Sequence, residues 1–543
     1  MGNPPPLKQD DDDDIYTYDA DNINVDREID RLLSSDDEPD QLSYRHGSHL
    51  LHIETSPVTN HAALPPLPPF SWKKLWKFTG PGFLMSTAFL DPGNLEGDLQ
   101  TGAVSGYSLL WLLLWSAVMG LLIQLLSARL GVVTGRHMAE ICRDEYPYWA
   151  ILVLWFMAEI ALITADIQEV IGSAIAIKLL SNGVVPLWAG VLITACDCYG
   201  VRKLEALFAS FITIMALSFA WMFADTSPSG KELLIGLLIP RVGSKTIRKA
   251  VGLLGGIITP HNVFLYSAVV QSRKIDPKKK GQVQEALYYY TIESSLAIFV
   301  TFMINMFVTT IFAKAFYNTK EANTIGLLNA GYYLEEKYGK DVFPIFYIWG
   351  IGLLAAGQSS TLTGTYAGQF IMGGFLDLDM RKWLRTLITR SCAIVPTIIV
   401  AIYFNRSEDS LDVLNQWVNV LQGMQIPFAV IPLVRLVSCE RIMGPFRIKP
   451  SMERVVWFVA WIVIAINGCV LIEFFVSQVD GFMIGFVVCV LNVAYGSFIW
   501  YLISHGNNYL VVTISVIVIV IVVSIIVTNS WVCILHADHV HVA

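Results

Sequence analysis

Two short stretches of this sequence place polar side chains beside prolines inside otherwise apolar runs. The first is Asp91-Pro92-Gly93-Asn94, and the second is Thr259-Pro260-His261-Asn262, which follows Gly255 and Gly256. Proline removes a backbone donor and blocks the i−4 hydrogen bond, and glycine loosens the turn. The carbonyls freed before each proline, those of Ala88 and Gly256, become hard oxygen ligands, while Asp91 and Asn94 add a carboxylate and an amide. Such a set suits a cation stripped of its water. Either stretch alone reads as well as a proline kink with Asp91 capping the following half-helix; the pair favours the ligand reading. Groups able to change charge come from Glu159, Asp166 and Glu169. Asp166 and Glu169 are three apart and share a helix face, although pairing with arginines would also explain them. Asn419 and Gln422 lie on a later apolar segment, either able to reach an ion, and the sequence does not choose between them.

The elements that must carry these residues are membrane helices. The chain has 543 residues, 54% hydrophobic and 15% charged, with mean hydropathy +0.54. A soluble protein of this length needs more polar surface. Apolar segments lie near 76–105, 108–130, 149–176, 184–198, 204–224, 247–271, 288–315, 342–373, 384–404, 411–436, 454–476 and 481–504. Most are long enough for a ~30 Å hydrocarbon core, so the expectation is an all-α membrane protein of about 12 transmembrane helices. The breaks fall in the first and sixth segments. Irregular backbone at membrane depth is tolerated only where it lines a cavity, and such a pair, one per half, points to inverted repeats. An intramembrane carboxylate such as Asp91 is a functional candidate by default.

Three regions follow: an acidic, proline-rich tail over 1–70, a membrane domain over 71–505, and a terminal stretch over 506–543 with a further apolar run near 509–527. The tail carries Asp10 to Asp14 and Pro65, Pro66, Pro68 and Pro69, a composition that reads as disordered. Lys73, Lys74, Lys77, Arg129, Arg136, Arg143, Arg273, Lys278, Arg381, Arg435, Arg441 and Arg447 fall on one side if every segment crosses, which predicts a cytosolic N-terminus. The connection holding Lys231, Arg241, Lys245, Arg248 and Lys249 breaks that pattern. The fourth segment, Val184 to Cys198, is short for a span.

Asp91-Pro92-Gly93-Asn94 with Pro260-His261-Asn262, and the stretch from Gly357 to Gly374, resemble the Nramp family of proton-coupled metal transporters, in its plant vacuolar branch. The resemblance runs from about Pro69 to Tyr501. It implies a LeuT-like five-plus-five inverted repeat with broken first and sixth helices. It also implies metal coordination by Asp91, Asn94, the Ala88 carbonyl and a sixth-helix methionine, a position that here holds Thr259. A hydroxyl is harder than a thioether and rejects Ca²⁺ and Mg²⁺ less. The resemblance further implies a proton route from Asp91 through Asp166 and Glu169, with His261 beside it and Arg390 as counter-charge. Relatives carry a further short apolar stretch between the positions of Cys198 and Tyr199, which this chain lacks.

The implied cargo is Mn²⁺ or Fe²⁺ moved with protons by alternating access. A carrier of Mg²⁺ or Al³⁺ on the same scaffold, or a non-transporting membrane sensor, are the alternatives. No cofactor beyond the transported ions is expected, and no nucleic-acid partner. No nucleotide loop, nucleophile elbow or zinc motif suggests an enzyme. Glu28, Leu32 and Leu33 fit an acidic dileucine signal that an adaptor could read, routing the protein to a vacuolar or other endomembrane. Eight cysteines scattered through apolar segments are expected to stay reduced. Asn405-Arg406-Ser407 is a glycosylation pattern, and His536, His539 and His541 cluster near the end.

Overall fold

The computed structural model describes residues 69–196, 203–241, 246–273, 275–339, 344–377, 409–478 and 482–504, with scattered helical positions between 384 and 399. Glu28, Leu32, Leu33, Arg390, the Asn405 pattern, Cys198, the 509–527 run and the terminal histidines lie outside the described residues. Among the described residues the regular elements are all helices.

The chain enters through α1 (Trp72–Phe78), turns at Gly80, and forms α2 (Pro81–Ala88) and α3 (Pro92–Ser105) as two arms of one broken helix. α4 (Leu110–Thr134), the short α5 (Met138–Glu145) and α6 (Tyr148–Leu180) follow, then α7 (Leu187–Cys196), α8 (Lys203–Thr226) and α9 (Gly230–Leu238). The second broken helix is α10 (Ile247–Ile257) with α11 (Pro260–Val269). The rest comprises α12 (Lys280–Phe316), α13 (Leu327–Tyr338), α14 (Ile345–Leu376), α15 (Asp409–Ser438), α16 (Glu440–Met443), α17 (Pro450–Gln478) and α18 (Phe482–Ser504). Six of the described helices are long and apolar enough to cross a membrane: α4, α6, α8, α12, α14 and α15. Trp115, Phe156, Leu217, Phe299 and Phe458 stand exposed on these and neighbouring helices, as lipid-facing side chains do.

Interhelical contacts fix which ends lie together. Lys74 pairs with Glu285, Arg143 with Asp377, and Arg441 with Glu145, while Arg273 donates to the Thr79 carbonyl at 2.8 Å. Four residues of the basic set, Lys74, Arg143, Arg273 and Arg441, thus tie neighbouring elements together, while Arg381 lies outside the described residues. The off-pattern connection is partly explained. Lys249 belongs to α10, and its ammonium donates to Gln100 Oε1 of α3 at 2.6 Å, so it is a packing residue inside the bundle.

Two boundaries differ from the sequence reading. The first segment begins as a separate helix, because Gly80 takes φ 145° between α1 and α2. The fourth element is only 10 residues long where it is described, Leu187–Cys196. At 1.5 Å per residue that covers about 15 Å, half of a hydrocarbon core; residues 197–202 lie outside the described set.

Candidate metal site

Each break leaves a carbonyl unused. In a continuous helix the Ala88 and Gly256 carbonyls would accept from the N–H groups of residues 92 and 260, but both are prolines at the start of the next arm. The first arm ends at Ala88 and the second begins at Pro92, with Asp91 as its N-cap; its side chain accepts from the Asn94 N–H at 2.6 Å. The sixth helix repeats the design, with α10 ending at Ile257 and Thr259 in extended backbone before α11.

The two breaks adjoin. A Cβ placed on Gly256 would lie 2.3 Å from Asn94 Oδ1, so glycine is what admits the Asn94 amide beside the second break. The amide nitrogen of Asn94 donates back to the Phe89 carbonyl at 3.1 Å, which turns its oxygen toward Gly256. Asp91, Asn94, Thr259, His261 and Asn262 are all buried. Asn262 Nδ2 donates to Thr259 Oγ1 at 2.6 Å, while Asn262 Oδ1 and His261 Nδ1 are buried without a hydrogen-bond partner. Among the described residues there is no cluster of three or more His, Cys, Asp or Glu. A metal held here would therefore meet one carboxylate and neutral oxygens, a hard set suited to a dication.

The sequence reading left Asn419 and Gln422 open, and the structure ties both to a residue it missed. Gln168 of α6 donates to Asn419 Oδ1 at 2.7 Å and accepts from Gln422 Nε2 at 3.1 Å. Its carboxamide also packs on the first break, since a Cβ on Gly93 would lie 2.8 Å from Gln168 Cδ. Asn419 is the nearer to the second break: its carbonyl would sit 2.7 Å from a Cβ on Gly255. On α6 the sequence singles out the acids Glu159, Asp166 and Glu169 because they carry charge, and it passes over the uncharged Gln168 beside them.

Asp166 and Glu169 are buried and face α14, where a Cβ on Gly364 would lie 2.9 Å from Asp166 Oδ1 and 3.8 Å from Glu169 Oε2. Glu159, two turns earlier, accepts from Trp155 Nε1 at 3.0 Å. Asp98 was also missed: it lies on the same arm as Asp91, fully buried, with neither carboxylate oxygen hydrogen-bonded. The rule that singled out Asp91, a carboxylate inside a spanning segment, applies equally to it. Pro92 itself is wedged between α6 and α14, with its ring 2.1 Å from where a Gly172 Cβ would stand and 3.4 Å from a Gly357 Cβ.

Residues 82–473 match the family described as natural resistance-associated macrophage protein-like, or Nramp. A relative from Arabidopsis thaliana, Metal transporter Nramp2, is 70% identical over 450 residues, covering 81% of this chain and 85% of its own length. Metal transporter Nramp3 of the same plant is 64% identical over 489 residues, covering 88% and 96%. Among solved structures, a mutant of the Eremococcus coleocola manganese transporter is 26% identical with TM-score 0.70, covering 85% of this chain and 98% of that one. That likeness carries the all-α, five-plus-five arrangement with its first and sixth helices broken. With family and fold agreeing over most of its length, the chain belongs to the Nramp family of metal transporters.

Proposed function

We propose that this protein is a secondary transporter of divalent transition-metal cations, Mn²⁺ or Fe²⁺, coupled to protons and working by alternating access. The observation that carries the reading is the meeting of two unwound stretches, where the Ala88 and Gly256 carbonyls are left open by proline and Asp91 and Asn94 stand beside them. Backbone opened in this way inside a membrane is stable only if something uses it. The names of the plant relatives and of the bacterial manganese transporter point to the same cargo class.

Proton movement would use Asp91, Asp166, Glu169 and His261, with Arg390 as a counter-charge. A dication beside Asp91 favours its carboxylate form and expels any proton it carries. The buried row of acids on α6 supplies acceptors along the bundle. Asn419 and Gln422, linked through Gln168, would complete the cage when the opposite entrance closes. The placement of lysines and arginines supports a cytosolic N-terminus, and Glu28, Leu32 and Leu33 support a vacuolar membrane.

The test is Mn²⁺ uptake into liposomes holding the purified protein, with and without an inward proton gradient. Asp91→Ala should lower uptake on the order of 100-fold, since losing even a partner that only orients a metal ligand costs roughly 10–100-fold, and the gradient should accelerate the wild type. Equal uptake by the variant, or indifference to the gradient, overturns the respective half of the reading. A second reading, transport of harder ions such as Mg²⁺ or Al³⁺, has one observation in its favour: the break presents the Thr259 hydroxyl.

A further inference from the structure

The first helix, α1, contains no buried residue, yet it is tied to the bundle along one side. There Lys74 pairs with Glu285 of α12, the Ser71 N–H donates to Tyr289 Oη at 3.0 Å, and the Phe78 ring stacks on that of Tyr289 at 5.3 Å. Helical spacing turns the other side chains away from these contacts. Trp72 and Trp76, four residues apart, share a face and are 77% and 82% exposed. Lys73 and Lys77 share the adjoining face and are exposed as well. Lys279 and Lys280, also exposed, open α12 about a turn and a half before Glu285 and add charge of the same sign.

A helix of seven residues is too short to hold itself in water, so a surface on its outer side would steady it. Two neighbouring indoles in water are apolar area without cover, whereas at a membrane interface their rings sit among the headgroups. Depth agrees. α2 runs eight residues from Pro81 to Ala88, about 12 Å at 1.5 Å per residue, against roughly 15 Å for half a hydrocarbon core. With the break at mid-bilayer, as the transport reading has it, Gly80 falls near the hydrocarbon boundary. Its φ of 145° separates α1 from α2 at that level and lets the chain turn.

We infer that α1 is an anchor that docks on an anionic lipid leaflet, with Trp72 and Trp76 among the headgroups and Lys73 and Lys77 against their negative charge. A helix with tryptophan on one face and lysine beside it binds such a surface through apolar area and charge together. Docked in this way, α1 fixes the base of α2, the arm whose last residue, Ala88, borders the metal site. Its depth rests on the transport reading, but exchange at α1 is measured without transport, so either can fail while the other stands. Full-length protein would be placed in nanodiscs of phosphatidylcholine, alone or mixed with phosphatidylserine. Hydrogen–deuterium exchange would be followed at the Leu75 and Thr79 amides, which donate to the Ser71 and Leu75 carbonyls.

Phosphatidylserine should slow exchange at least about five-fold, the worth of one lysine near an anionic surface, and Lys73→Gln should give back about that much. Lys231→Gln, on α9 where it packs at Tyr107 beyond the far end of α3, should change nothing. Lipid brominated on its acyl chains should quench a smaller fraction of the tryptophan emission once Trp72→Phe and Trp76→Phe are combined. A fraction that holds or rises would place both indoles away from lipid and overturn the anchor. A loss in Lys231→Gln as large as in Lys73→Gln would show a diffuse charge effect and overturn it too. So would equal exchange in the two kinds of disc; if that exchange then quickens on replacing Asp10 to Asp14 by asparagine, the acidic tail of this chain covers the face in place of lipid.

Discussion

Hardness separates cations at a single ligand, and Thr259 is where this chain departs from the ligand set its family implies. Its hydroxyl oxygen is hard and is already turned toward Asn262 at 2.6 Å. Thr259→Met would bring in a thioether, which favours Mn²⁺, Fe²⁺ and Cd²⁺ over Ca²⁺. Excess Ca²⁺ should therefore compete with Mn²⁺ uptake several-fold better in the wild type than in the variant, and equal competition would remove any role for Thr259 in selection. At this scale the sequence showed the two proline breaks, because proline and glycine inside an apolar run are local signals. It did not show Gln168, whose partners Asn419 and Gln422 lie on a helix far along the chain.

The elements meet through small residues. Pro92, at the first break, fits against α6 because Gly172 has no side chain; an added Cβ would stand 2.1 Å from the proline ring. Gly172→Ala should cost about 1–3 kcal/mol through overpacking, read as a lower melting temperature in detergent together with weaker metal binding. Gly97→Ala, on the same arm with nothing within 4 Å, should be neutral or stabilising by up to about 1 kcal/mol. Similar losses in both would show that helix propensity, and not the fit of the break, governs this region. The base of the first arm is held by Glu293, whose Oε1 accepts from the Gly80 and Gly82 N–H groups at the start of that helix. Hydropathy gave most of the described long helices to within a few residues, but α12 begins at Lys280, eight residues before the expected start at 288. It missed α5, α9 and α13, which are short and do not span, and it joined α1 to α2 across the turn at Gly80.

Over the whole molecule, the end rich in arginine is also where a titrating group ties helices together. His137 sits at the start of α5 with its ring against Gly374 and Phe370 of α14. Burial pushes it down to about 4, and the Glu140 carboxylate at 3.4 Å only partly opposes this. Because its folded value is depressed below the ordinary 6.5, His137 contributes stability that is intact above pH 6.5. As pH falls from there toward about 4, the unfolded chain takes up a proton that the folded one refuses, and stability drops by about 1 kcal/mol per pH unit. Melting curves between pH 7.5 and 5 should slope less in His137→Gln than in the wild type; parallel curves would show that other groups set the acid sensitivity of this end. The packing of Lys249 against the bundle was not legible from lysine and arginine placement, because a charge count cannot tell a loop lysine from one that bonds to Gln100.

The central claim is that two unwound stretches share one dehydrated cation. The most direct measurement is an anomalous difference map, or a cryo-EM density, of the protein loaded with Mn²⁺. The account predicts one strong peak about 2.0–2.6 Å from the Asp91 carboxylate and from the Ala88 and Gly256 carbonyl oxygens, absent in Asp91→Ala. A peak held elsewhere, or one that survives that substitution, would contradict it.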